Sequence, residues 1–201
     1  MRPRPLRLRV VLGTLAYVIA FAMPTAFCAD EEVAAVDAIW KVRSVSFRYF
    51  SPTTYYVCDT LRQRVADIML EVGASELMYV QPKCMGSGFI NDTSIRLVVG
   101  IPIEATRENL VRETTFDSRT QLIAQARNWT LATPETVHRF RAVMTDVSFS
   151  RVQPSDCELL QAMSEQVFPR LGIQVNNKLQ CSGSLPLGTL SVTTLKPIGV
   201  K

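Results

Sequence analysis

The sequence predicts an α+β fold of two β-α-β-β units, with mainly antiparallel sheet, one or two in number, covered by two helices and stapled by disulfides. Three observations predict it. A Cys is followed by a Gly fifteen positions later at Cys58–Gly73 and again at Cys157–Gly172. The phrases "C-M-G-S" after Cys84 and "C-S-G-S" after Cys181 echo each other, and both stretches close on Pro-Ile, at Pro102 and Pro197. Period-two apolar strands stand before each Cys-to-Gly segment and after each echo. Self-similarity at a fixed offset is the mark of an internal repeat.

The order of elements follows from these signals. In "V-R-S-V-S-F-R-Y-F", Val45, Phe47 and Tyr49 alternate with more polar neighbours, which predicts a strand with one face to bury. A helix follows from Cys58, where Leu61, Val65, Ile68 and Val72 make one 3.6-period stripe. Asp59 is placed to cap it or to complement its dipole, and Gly73 stands where a left-handed residue ends a helix. Strands are then expected up to Cys84 and over 94–103, where Ile95, Leu97, Val99, Ile101 and Ile103 share a face. The second unit repeats this order. Val143, Thr145, Val147 and Phe149 alternate. Leu160, Met163, Val167 and Leu171 form the helical stripe. Ser155 and Glu158 read as a capping box that starts this helix near Ser155, with Asp156 in the same capping role as Asp59. Pro169 predicts a kink or an early end, and Gly172 the stop. The units are placed at 40–103 and 138–201, joined by a polar linker at 104–137 in which a short helix over Asp117–Arg127 turns Leu122 and Ile123 inward.

Residues 1–28 read as a signal peptide. Arg2, Arg4, Arg7 and Arg9 precede an uncharged run from Val10 to Met23, too short to span a bilayer comfortably, and small residues follow Pro24. Cleavage after Cys28 is preferred to cleavage after Ala29. The chain carries 22 basic and 18 acidic residues, and the leader holds four basic and no acidic ones, so the mature chain has 22 − 4 = 18 of each. A net charge of zero removes the basic signature of a nucleic-acid partner. No transmembrane span is expected once the leader is gone.

Four Cys then remain: Cys58, Cys84, Cys157 and Cys181. In an exported chain an even set reads as disulfides. If each unit folds as a unit, Cys58 pairs with Cys84 and Cys157 with Cys181. A redox role is disfavoured because no C-x-x-C is present, and a metal site because the Cys are consumed.

The search for chemistry yields little. The single His138, in "T-V-H-R-F-R", has no nucleophile or acid at a telling spacing. "G-S-G" at Gly86–Gly88 is a tight turn rather than a phosphate loop. The triplets at Asn91 and Asn128 match a glycosylation sequon, but the leader reads as bacterial and they carry no weight. Aromatic residues cluster around "S-P-T-T-Y-Y": either Phe47 and Tyr49 belong to the core and the pair Tyr55 and Tyr56 buttresses the disulfide, which is the preferred reading, or Phe50, Tyr55 and Tyr56 form a candidate binding surface. No catalytic residue and no cofactor is expected. The reading is an exported module, periplasmic or extracellular, that binds an envelope protein or a small ligand without catalysis; the alternative is an enzyme whose site forms at the seam between the halves.

The phrases "F-R-Y-F-S-P-T-T-Y-Y-V-C-D-T-L-R-Q-R-V", with Cys84, and "D-C-E-L-L-Q-A-M-S-E-Q-V-F-P", with Cys181, resemble a family of small exported proteobacterial proteins of unknown function. Thr60 stands where that family's Cys-Asp-Gly-Leu phrase has Gly. The resemblance implies export and no assigned activity.

Overall fold

The structure is a computed structural model that describes residues 34–84, 88–149, 153–182 and 185–199. The leader at 1–28, and Gly86 and Ser87 of the expected tight turn, lie outside the described residues. In chain order the elements are β1 (Val36–Phe50), β2 (Tyr56–Val57), α1 (Cys58–Glu71), β3 (Tyr79–Pro82), β4 (Phe89–Ile90), β5 (Asp92–Glu104), α2 (Arg107–Thr114), α3 (Ser118–Ala126) and β6 (Phe140–Phe149). A 3-10 turn (Pro154–Asp156), α4 (Cys157–Gln166), α5 (Phe168–Leu171), β7 (Gln174–Val175), β8 (Gln180–Ser182), β9 (Leu185–Leu187) and β10 (Leu190–Pro197) complete it.

Six strands form one sheet in the order β3-β5-β1-β6-β10-β7, and every ladder is antiparallel. The order reads alike from either end: the first strand of each stretch lies at the centre, its last strand next, and a short strand at the edge. Two small ribbons, β2-β4 and β8-β9, stand beside the main sheet. Two disulfides, Cys58–Cys84 and Cys157–Cys181, span 26 and 24 residues and tie each main helix start to the chain after its edge strand.

The alternation read from sequence works on the sheet as expected. Val45, Phe47 and Tyr49 are buried while Ser44, Ser46 and Arg48 face out, and Ile95, Leu97, Val99 and Ile101 are buried on β5. These side chains meet Leu61, Val65 and Met69 of α1 and Leu159, Leu160 and Met163 of α4 in one continuous core. Each large apolar side chain so buried contributes about 1.5–3 kcal/mol. Gly73 (φ +86°) and Gly172 (φ +81°) both take the left-handed conformation at a helix stop.

Several expectations are corrected. On α1, Met69 rather than Ile68 is fully buried. The capping box at Ser155 does not form: α4 starts at Cys157 after a 3-10 turn, with no side-chain cap at Asp156, and Glu158 reaches across to Ser51 and Thr53 instead. The helix breaks at Val167, and Pro169 sits in the first turn of α5, where its missing N–H is harmless. The single strand expected before Cys181 is split into β7 and β8, because Asn176 donates to Thr193 Oγ1 (2.9 Å) and Asn177 Oδ1 accepts from the Ser191 amide (2.5 Å), replacing ladder bonds with side-chain bonds. The linker holds two helices. Thr106 and Asp117 cap α2 and α3 through bonds from the Asn109 and Thr120 amides. Leu122 and Ile123 point outward and only Ala124 of α3 is buried. No described helix is long and apolar enough to cross a membrane.

Candidate functional site: the seam between two diverging strands

The chain offers chemistry at the places where its two stretches meet. The first is structural. Ser51, fully buried after β1, accepts from the amides of Thr53 (3.2 Å) and Thr54 (2.6 Å) and donates to Glu158 of α4. Tyr49 donates its hydroxyl to the Thr54 carbonyl at 3.4 Å. Tyr56, 5% exposed, places its hydroxyl 2.6 Å from the Ser155 carbonyl and 2.7 Å from Asp156 Oδ1, which also faces Arg64 Nε at 3.7 Å. Burial pushes the Tyr49 phenol up to about 12. Burial, and then the bond to Asp156, push that of Tyr56 upward as well. These groups lock the loop 51–57 onto the start of α4.

That lock bears on the aromatic surface read from the sequence. Phe50 and Tyr55 are 58% and 57% exposed, but Tyr56 is buried and belongs to the lock, not to a surface. Its partner in β2, Val57, faces outward, since adjacent residues of a strand point to opposite sides. Phe89 of β4, exposed and opposite Val57, joins the outward set. A shallow groove of about 270 Å³ lies beside Phe50, between Arg48, Pro52 and Gln161 and Glu165 of α4.

The second meeting place is concave. β1 and β6 share only three residue pairs, Val36–Ala142, Asp37–Arg141 and Ala38–Phe140, at the first residues of both strands, and then run on in opposite directions. Trp40 and Phe140 close the overlap with ring centroids 4.6 Å apart. Farther along β1 the place of a neighbouring strand is taken by side chains from α4 and α5. Gln166 accepts from the Arg48 amide (3.1 Å) and donates to the Arg48 carbonyl (3.0 Å), and Arg170 donates to the Ser46 carbonyl (3.1 Å). A groove of about 500 Å³ lies at this seam, with Lys41, β5, Asn109 of α2, Met144 of β6, the chain after α5 and Thr193 of β10 on its walls. Its walls mix aliphatic side chains with a few polar ends, the composition expected of a ligand cleft.

Glu104 and Lys41 are the charged groups there, and Lys41 is the cation. Its side chain is 17% exposed and its ammonium lies 3.8 Å from Glu113, which also faces Arg112 Nε at 3.6 Å. Burial lowers its pKa first and the Arg43 guanidinium next, outweighing the pull of Glu113. Around the ammonium stand one carboxylate, Glu113, and two guanidiniums, those of Arg43 and Arg112. His138 is exposed just before β6 and is not among the residues lining the groove. Among the described residues no three His, Cys, Asp or Glu side chains gather as metal ligands. No family model, no curated protein and no solved structure matches the chain.

Proposed function

We propose that the chain is an exported binding module, released from its leader into an oxidising compartment, that holds a segment of a partner protein in the seam groove. The two disulfides support an oxidising environment, and the resemblance to small exported proteins points the same way. The organisation into units at 40–103 and 138–201 is part of this reading, because it makes the groove a surface that neither unit has alone. The observation that carries it is the short overlap itself: two strands that pair only at their first residues and run on in opposite directions leave a cleft whose walls come from both stretches. The outward set of Phe50, Tyr55 and Phe89 is apolar but not enclosed, so the seam is the stronger site.

A photoreactive phenylalanine at Gln174, on the groove wall, tests this against the same probe at Gln63 on the outer side of α1. The expected result is a discrete covalent adduct with an exported protein from Gln174 and none from Gln63. Adducts of the same pattern from both sites, or no adduct from Gln174, overturn the reading.

A further inference from the structure

The backbone of β1 has a gap in its hydrogen bonding that matches one kind of occupant. Asp37 accepts from the Ala105 amide and Ser51 donates to the Asn91 carbonyl, both at 2.8 Å, so the odd-numbered backbone groups of β1 face β5. The even-numbered groups face the other way. Val36 and Ala38 lie in the ladder to β6, and Ser46 and Arg48 are satisfied by Arg170 and Gln166. Between them, no hydrogen bond among the described residues reaches the N–H or C=O of Trp40, Val42 or Ser44 on this side. Exposure agrees: Val42, in the middle of a strand third from the edge of a six-stranded sheet, is 65% exposed, and Arg43 and Ser44 after it are exposed as well. A strand with unpaired groups in mid-sheet is a template for another strand.

We infer that the gap along Trp40–Ser44 takes an extended peptide segment in which apolar and carboxylate side chains alternate. Resting on the reading of the seam as a binding site, this names the class of its ligand. The gap is five residues long, bounded by the β6 ladder at Ala38 and the Arg170 bond at Ser46, which suits a strand of ordinary length. Cross-strand neighbours lie on one face. Peptide residues opposite Trp40 and Val42 therefore meet apolar side chains, and those opposite Lys41 and Arg43 meet two cations, of which Lys41 faces the Glu113 carboxylate at 3.8 Å. Acidic side chains at those two positions complement the charge that the fold leaves there.

Amide hydrogen exchange on the full mature chain tests the inference, with a blocked heptapeptide alternating Val and Asp as the probe and its Lys-for-Asp counterpart as the control. The Asp peptide is expected to slow exchange at Trp40, Val42 and Ser44 by about tenfold or more, and the Lys peptide to leave it unchanged. Val42→Pro keeps the β5 ladder, since its N–H faces the gap, and is expected to fold as judged by circular dichroism and to lose the protection. Three amides already protected in the free protein, no protection by the Asp peptide, or full binding by Val42→Pro each overturn strand addition. Resonance shifts at Met144 and Leu195 without edge protection would overturn it too, while leaving the groove as a binding site.

Discussion

Tyr56 shows how one hydroxyl can decide what a residue is for. Its ring is inside the core beside Tyr49, with ring centroids 5.6 Å apart, and its oxygen has two acceptors within 2.7 Å, of which one proton serves one at a time. Removing the hydroxyl in Tyr56→Phe leaves the Ser155 carbonyl and Asp156 short of a donor, and the expected cost is about 1–2 kcal/mol in urea unfolding. The same residue predicts an alkaline limit. Because the folded phenol is pushed above its ordinary value, the fold favours the protonated form. That stability is whole below about pH 10, where the unfolded phenol ionises, and is lost as pH rises beyond it. Tyr49, held up to about 12, shares the window. Wild-type stability is therefore expected to fall between pH 10 and 12, and Tyr56→Phe to lose less over the same range; an equal fall in both would remove Tyr56 from the cause. Sequence pattern placed Phe47 and Tyr49 in the core by their period of two, and left Tyr55 and Tyr56 together, as a buttress for the disulfide or as surface. It could not separate Tyr56 because the loop 51–55 resets the alternation. The residue that resets it, Ser51, has no pattern of its own: it is buried for the three bonds it makes, not for its side chain's hydrophobicity.

At the scale of elements, the helix stripes and stops were legible, since each depends on neighbours within one or two turns. Elements governed by distant contacts were not. The first part of β1, "V-D-A-I-W-K-V-R", has buried residues on both faces at Ala38 and Ile39 and then none until Val45. That pattern is set by β6, by Trp40 against Phe140 and by the gap, none of which a local period records. The Ser155–Glu158 box failed for a similar reason, because a hydroxyl pair at Ser51 and Thr53 outcompetes a backbone amide for Glu158. The two stop glycines, alike in sequence and in φ, differ in what surrounds them. A Cβ on Gly73 would lie 2.9 Å from Lys196 Cγ and 3.0 Å from the Leu195 carbonyl, while one on Gly172 would meet nothing within 4 Å. Gly172→Ala is expected to cost about 1–2 kcal/mol, the left-handed backbone alone. Gly73→Ala is expected to cost more, since β10 must move as well and the Thr194 hydroxyl bonded to the Val72 carbonyl (2.9 Å) moves with it. Equal unfolding free energies for the two variants would show that β10 yields without cost.

For the whole molecule, the question is whether each Cys-stapled stretch folds by itself. Each staple closes a loop of about 25 residues, which by the chain-entropy estimate stabilises by about 3.5 kcal/mol. The three-pair ladder between β1 and β6 is a weak bond between halves. The core argues the other way. Its larger cluster takes in Phe47 and Leu97 of the first stretch together with Val147, Leu160 and Val192 of the second, and Gln166, Arg170, Glu158 and Thr194 all spend their hydrogen bonds on the opposite stretch. A half expressed alone would expose its share of that cluster and leave Ser51 or Glu158 without its partner. Residues 34–103 and 138–201, made separately with their disulfides, are therefore expected to lack cooperative thermal unfolding. A chain cut once within the exposed connection between α3 and β6 is expected to stay assembled, eluting at the size of the intact protein and unfolding in one transition. Cooperative unfolding of either isolated half would show that the staples, and not the shared core, hold the fold, and would place the seam between two independent bodies.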